Sequence, residues 1–113
     1  MSLADAPLLA EPAARFAALG DAARLRLVMR LADGSALSIA ALSADAGMTR
    51  QGVSKHLRVL EGAGLVRGAR TGREVRFALD RTAVVEAGNW LTAVGAQWED
   101  QLGRLKAFVE GAD

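Results

Sequence analysis

The sequence predicts a mainly α-helical fold that carries one small β-hairpin and ends in a long helix. Apolar residues recur at spacings of three and four along most of the 113 residues, whereas only residues 65–79 alternate with a period of two. Charge is also unevenly distributed. Residues 49–76 hold seven basic and two acidic side chains, against four and five in residues 1–48 and three and six in residues 77–113. Such a local excess of positive charge is typical of a surface that binds a polyanion.

Two short helices open the predicted fold. The first covers residues 11–20, with Pro12 at its first helical position, and residues 1–10 are expected to be flexible. Asp21 is a good N-cap for the second helix, which Gly34 ends. We expect this second helix to bury a stripe formed by Leu25, Val28, Leu31 and Ala32.

A helix-turn-helix pattern follows. Ser38 can cap a third helix over residues 39–46, and Gly47 permits the left-handed turn that ends it. Thr49 then caps a fourth helix over residues 49–61, so that two helices are joined by a short turn containing glycine. The apolar stripe that this fourth helix turns inward consists of Val53, Leu57 and Leu60.

The alternating segment over residues 65–79 predicts a two-stranded β-hairpin around Thr71-Gly72. Leu65, Val75, Phe77 and Leu79 are its expected inward residues. Three helices followed by such a hairpin form a winged helix-turn-helix, in which the hairpin is the wing. The fold class is therefore a single winged-helix domain over residues 1–113, with about five helices and a two-stranded wing.

The last third of the chain predicts one long amphipathic helix over residues 82–110. A domain this small cannot cover so long an apolar stripe, so we expect it to form a seam between two copies of the chain, together with the helix over residues 11–20. The residues expected in this seam are Phe16, Val84, Leu91, Val94, Trp98, Leu102 and Leu105. The alternative is a monomer that wraps the helix over its own core.

Three segments carry a resemblance to a known family: LGDAARLRL at 19–27, VSKHLRVL at 53–60 and EGAGLV at 61–66. They resemble the ArsR/SmtB family of winged-helix regulators, well over residues 15–80 and loosely over the last helix. The resemblance implies a homodimeric repressor whose recognition helix and wing meet operator DNA. It also implies that a metal or another signal releases the DNA.

Metal sensing is the part of this resemblance that the residues disfavour. Where metal-sensing members carry a Cys-x-Cys box, this chain has Ser38-Ile39-Ala40, and where others place His on the last helix, it has none. The chain holds no Cys, and its one His is His56, in the fourth helix. A soft or borderline metal needs several converging His or Cys ligands. We therefore predict the Cys-free branch of the family, with no metal site and no cofactor.

The predicted function is a sequence-specific DNA-binding repressor that reads an inverted repeat in double-stranded DNA as a homodimer. Arg50 and Gln51 are expected at base edges, and Lys55 and Arg58 at phosphates. His56 could instead pack against the wing or bond a backbone carbonyl. The full set of candidate DNA contacts is Thr49, Arg50, Gln51, Ser54, Lys55, His56, Arg58, Arg70, Arg73 and Arg76.

Other functions are weighed against this one. A winged-helix protein-interaction module that does not read DNA is the main alternative, although a docking face need not be cationic. An enzyme is disfavoured, since Ser54 and His56 share one helix with no third orienting group. An unidentified effector could bind an apolar pocket near Phe16, Trp90 and Trp98, but those residues are more simply core. We see no secretory signal and no membrane span, so we expect a cytoplasmic, nucleoid-associated protein.

Overall fold

The computed structural model describes residues 6–111, and within that range the chain forms five helices and three strands. The helices are α1 (Ala6–Leu19), α2 (Ala22–Leu31), α3 (Ile39–Ala46), α4 (Arg50–Gly62) and α5 (Arg81–Gly111). The strands are β1 (Leu37–Ser38), β2 (Val66–Thr71) and β3 (Glu74–Leu79). This order confirms the predicted winged helix-turn-helix with a long C-terminal helix.

The first helix starts earlier than predicted. α1 begins at Ala6, and Pro12 lies inside it instead of at its first position. Proline removes one backbone hydrogen bond, but the Ala, Leu and Glu residues around it are good helix formers and carry the helix through. Residues 1–10 were expected to be flexible. Residues 1–5 lie outside the described range, and residues 6–10 differ from the expectation because they belong to α1.

The predicted helix caps are confirmed. The Asp21 carboxylate accepts the backbone N–H groups of Ala23 and Arg24 at 2.9 and 3.1 Å, and the Arg24 bond contributes most to lowering the pKa of Asp21. The Ser38 hydroxyl accepts the N–H of the third residue of α3 at 3.2 Å. Gly47 ends α3 with a φ of 62°, in the left-handed region that glycine adopts without strain.

The core lies between the helix-turn-helix and the base of the wing. Its fully buried large side chains are Leu27, Leu31, Leu42, Val53, Leu57, Leu60, Leu65 and Val66. The predicted inward stripe of α4 is thus confirmed residue by residue. Because that stripe is fixed in the core, the opposite side of α4 is held toward solvent.

The buried stripe of α2 differs in part from the predicted one. Leu25 is 45% exposed and Ala32 is exposed as well, whereas Leu27 is buried together with Leu31. The inward residues of α2 are Arg24, Leu27, Val28 and Leu31. The prediction failed here because this stripe includes an arginine. The Arg24 Nε donates to the Ala18 carbonyl of α1 at 2.5 Å, which satisfies the charged group in its half-buried position.

The sheet has one strand more than predicted. Its order is β1-β3-β2, all antiparallel, with Leu37 opposite Phe77 and Ser38 opposite Arg76. A two-residue strand is too short to show alternation in a sequence, which is why β1 was missed. The hairpin turn falls at Gly72-Arg73, where Gly72 has a φ of 65°. β2 is therefore an edge strand, joined to the sheet by β3 alone.

The long helix α5 leaves the body after its first turns. Ala83 and Ala87 are buried, but residues 91–111 are exposed along their whole length, and the molecule extends 70 Å along its long axis. The alternative of a helix that wraps over its own core is therefore wrong for residues 91–111. None of the helices within residues 6–111 has the length and apolar character needed to cross a lipid bilayer.

An arginine ties α5 to α1. Arg15 is 9% exposed, and its guanidinium donates to Glu11 at 2.5 Å and to Glu86 of α5 at 3.0 Å. Both carboxylates are themselves mostly exposed, so each pair alone contributes little stability. Together with Ala83 and Ala87, these pairs fix the direction in which α5 leaves the body.

Candidate nucleic-acid interface

The solvent side of α4 presents a set of hydrogen-bond donors. The exposed residues there are Thr49, Arg50, Gln51, Lys55 and Arg58, and Ser54 and His56 are half-buried. Gln51, Ser54, Lys55 and Arg58 together line a shallow groove along the helix. Within residues 6–111, no carboxylate lies within ion-pairing distance of Arg50, Lys55 or Arg58. This face therefore carries uncompensated positive charge.

The start of α4 is held by its cap. The Thr49 hydroxyl accepts the N–H of Gly52 at 3.0 Å, as predicted. A Cβ at Gly52 would lie 3.1 Å from that hydroxyl, so glycine here leaves room for the cap. The first turn, with Arg50 and Gln51, is thereby fixed at the exposed end of the helix.

His56 extends from α4 toward Arg24 of α2. Its Nδ1 is 3.4 Å from the guanidinium of Arg24, and neutral imidazole accepts there when the ring proton is on Nε2. The same guanidinium also donates to the Ala17 and Ala18 carbonyls at the end of α1. His56 thus has a partner within the protein, whereas Lys55 beside it forms no ion pair with any residue between 6 and 111.

The strand register places the wing arginines on different faces. Arg70 lies opposite Val75 and shares a face with Gly68 and Phe77, the face that packs toward the body. Arg76 lies on the other face, where it pairs with Glu74 at 3.1 Å. Arg73 lies in the turn. The register therefore places Arg70 on the body-facing side of the wing, Arg76 on the opposite side and Arg73 at the tip.

Two contacts at the base of the wing were not predicted. The carboxylate of Glu61, in the last turn of α4, accepts the backbone N–H of Gly68 at 3.0 Å. Asp80 accepts from Arg67 of β2 at 2.8 Å and also caps α5 through the Ala83 N–H at 3.1 Å. The Ala83 bond contributes most to lowering the pKa of Asp80. One signal was available: Glu61 is the one acidic residue among residues 49–73.

The predicted seam residues divide into two groups. Phe16 and Val84 lie at the junction with the body, where Phe16 meets Trp90 of the same chain with ring centroids 5.5 Å apart. The other five lie along the projecting part of α5 and are exposed: Leu91, Val94, Trp98, Leu102 and Leu105. Phe108 and Val109 extend this apolar surface toward the end of α5.

No three His, Asp or Glu side chains converge as possible metal ligands in the part of the chain that the structure describes.

Residues 19–69 match a family model described as a helix-turn-helix domain. Among curated proteins, the chain is 45% identical over 62 residues to the HTH-type transcriptional regulator CmtR of Mycobacterium bovis. The match covers 55% of this chain and 52% of that protein, so the chain spans about half the length of this relative.

Solved structures match over more of the chain. An ArsR-like transcriptional regulator from Rhodococcus sp. RHA1 is 30% identical, with a TM-score of 0.80, over 90% of this chain and 95% of that one. The homodimeric winged helix-turn-helix DNA-binding domain of Mb0332 from Mycobacterium bovis is 24% identical, with a TM-score of 0.66, over 90% and 91%. The second likeness shows the shared fold.

Proposed function

Because the chain belongs to the ArsR family of DNA-binding winged helix-turn-helix transcriptional regulators, we propose that it is a homodimeric repressor that reads an inverted repeat. The observation that carries this proposal is the exposed donor face of α4, with Arg50 in its first turn and Lys55 at its middle, neither of which forms an ion pair within the described range. Selection of bound sites from random duplex DNA tests it. An enriched sequence with two-fold symmetry is the expected result, and failure to retain any duplex at low salt would favour a protein-interaction module.

Base reading is assigned to the first turn of α4. Recognition helices contact base edges with their N-terminal residues, and Arg50 and Gln51 are the exposed long polar side chains there. An arginine bonds guanine in a bidentate manner, and a glutamine bonds adenine in the same way. Thr49 supports them by capping the helix.

Backbone contacts are assigned to the rest of the face and to the wing. Lys55 and Arg58 point from the middle of α4 into solvent, and Ser54 lies in the same groove. Arg70 and Arg73 extend the positive surface to the wing tip. Such contacts fix the register of the protein on DNA without reading its sequence. His56, held against Arg24, is assigned to positioning α4.

Two observations support a homodimer. Leu91, Trp98 and Leu105 recur every seven residues along the exposed part of α5, a period that suits packing against a second helix. The Mb0332 domain, which shares the fold, is a homodimer. A two-fold axis along α5 and α1 would present two copies of α4 to successive major grooves, about 34 Å apart.

The signal that controls this repressor is proposed not to be a metal. The absence of Cys and the placement of the one His against Arg24 leave few of the ligands that a soft or borderline metal prefers. An effector of another kind remains part of the proposal. The tilted Phe16–Trp90 pair fills the junction of α1 and α5 in this chain, which favours the interpretation of these rings as core.

Arg50→Ala is expected to weaken operator binding by about 1–3 kcal/mol for each subunit of the dimer and to relax preference at one base pair in each half-site. The reason is that a bidentate guanine contact discriminates against the other bases. Binding titrations on the selected operator and on its single-base variants measure this effect. If affinity and base preference at every position are unchanged, Arg50 does not contact a base edge.

Lys55→Ala is expected to weaken binding to all duplexes alike and to reduce the slope of log affinity against log salt by about two, one for each subunit of the proposed dimer. A phosphate contact releases a counterion and carries no sequence information. Lys106→Ala is the matched control, because Lys106 is the other lysine of the chain and lies near the end of α5, within reach of Glu110. Equal salt slopes for the two variants would contradict the assignment.

A further inference from the structure

Glu61 stands out on the proposed DNA-binding side of the molecule. It is the one carboxylate among residues 49–73, and it follows Arg58 in the same helix. A negative charge at such a place repels phosphates and works against DNA binding. Its side chain is exposed, so burial in the core does not explain it either.

The structure gives this carboxylate a specific partner. Its Oε2 accepts the backbone N–H of Gly68 in β2 at 3.0 Å. β2 is the edge strand of the sheet, and this N–H donates to α4 instead of to a neighbouring strand. A hydrogen bond to a charged carboxylate is about twice as strong as one between neutral groups. The bond therefore fastens the wing to the recognition helix.

The absence of a side chain at Gly68 leaves the space that this contact needs. A Cβ there would lie 2.8 Å from Cε1 of Phe77 and 3.3 Å from the Glu61 Oε2. Phe77 packs against the core, so it cannot easily move away. Glycine at this position lets β2 come close to Phe77 and to the end of α4 at once.

The opposite side of the same strand is anchored separately. Arg67 bonds Asp80, which caps α5, so two consecutive residues of β2 are tied to two different helices. Arg70 follows Gly68 by two residues and lies on the same face of the strand, about 7 Å farther toward the tip. The position of Gly68 therefore determines where Arg70 lies relative to α4.

We propose that Glu61 is a positioning residue for DNA binding: through the Gly68 N–H it sets the wing at the distance from α4 at which Arg70 and the recognition helix engage the same duplex. This inference rests on the proposed DNA-binding function. The DNA affinity gained from a correctly placed wing outweighs the affinity lost to repulsion between the Glu61 carboxylate and the DNA phosphates.

Two substitutions separate position from charge. Glu61→Gln removes the charge but keeps a side-chain oxygen that can accept the Gly68 N–H, whereas Glu61→Ala removes both. Glu99→Ala, an exposed carboxylate of α5, is the matched control. The measurements are hydrogen exchange at the Gly68 amide by NMR, without DNA, and affinity for the duplex that the wild-type protein selects from random DNA.

The expected results differ for the two variants. In Glu61→Ala, Gly68 exchanges about ten times faster, as for a lost hydrogen bond of moderate strength, and operator affinity falls by a factor of about 3 to 10. In Glu61→Gln, exchange stays slow and affinity equals or exceeds that of the wild type. Arg70→Ala should also cost less affinity in the Glu61→Ala background than in the wild type, since the two residues act together.

Three outcomes would overturn parts of this account, and they are distinguishable. Equal Gly68 exchange in the wild type and in Glu61→Ala overturns the anchoring contact. Tighter binding by both Glu61 variants shows that only the charge matters and overturns the positioning role. A wild-type protein that binds no duplex, while Gly68 exchange still rises in Glu61→Ala, overturns the proposed function and leaves the anchoring contact intact.

Discussion

Leu91→Glu is expected to convert the protein to a monomer and to weaken binding to an inverted-repeat operator by about 100-fold or more. Leu91 is 53% exposed in the single chain, so a glutamate there does not disturb the body. In a seam between two copies of α5, however, two carboxylates would be brought together out of water. A monomer presents only one recognition helix. It therefore loses the gain from binding both half-sites at once, which amounts to roughly 10²–10⁴ in affinity.

Sedimentation at micromolar concentration and titration of the operator measure these two effects. Ala93→Glu is the matched control, because Ala93 is exposed and lies on the opposite side of α5 from Leu91. The control should remain a dimer and bind with wild-type affinity. If Leu91→Glu sediments as the wild type does, the seam is not where we place it.

Leu57→Ala is expected to destabilise the protein by about 2–5 kcal/mol, since it leaves a cavity behind the recognition helix. Leu57 is 1% exposed and lies in the middle of the buried stripe of α4. Domains of this size have a free energy of unfolding of only about 5–15 kcal/mol, so the change removes a large share of the stability. DNA binding should fall with it as the temperature rises, because α4 loses its support.

Urea denaturation at one fixed protein concentration measures the effect, since the stability of a dimer depends on concentration. Leu25→Ala is the control with the same chemical change. Its side chain is 45% exposed, so we expect less than about 1 kcal/mol. Equal losses for the two variants would contradict the assignment of Leu57 to the core.

Much of the fold follows from signals that are local in the sequence. A cap such as Ser38 or Thr49 and a turn glycine such as Gly47 act on residues within one helical turn, so the chain order reveals them. The errors have a different origin. The stripe of α2 was misplaced because Arg24 belongs to it, and a charged residue is read as exposed unless its partner on α1 is known.

The candidate site also divides into features that local sequence patterns predict and contacts between elements that they do not. The exposed face of α4 followed from periodicity, since Val53 and Leu57 determine which side is buried. The alternation of the wing also predicted the face that packs toward the body, because Phe77 and Leu79 pack against the core as expected, although Val75 on the same face is 39% exposed. The bond between Glu61 and Gly68 connects residues seven apart in different elements, so spacing alone could not reveal it.

The narrow attachment of α5 has a mechanical consequence. Only Ala83 and Ala87 are buried along this 31-residue helix, and the Arg15–Glu86 pair braces the same short section. A long rod held at one end acts as a lever, so a slight rotation at its root becomes a large displacement at the far end. In a dimer joined through α5, the stiffness of the short section that holds Ala83 and Ala87 therefore governs the distance between the two copies of α4. That distance must match the pitch of the DNA duplex.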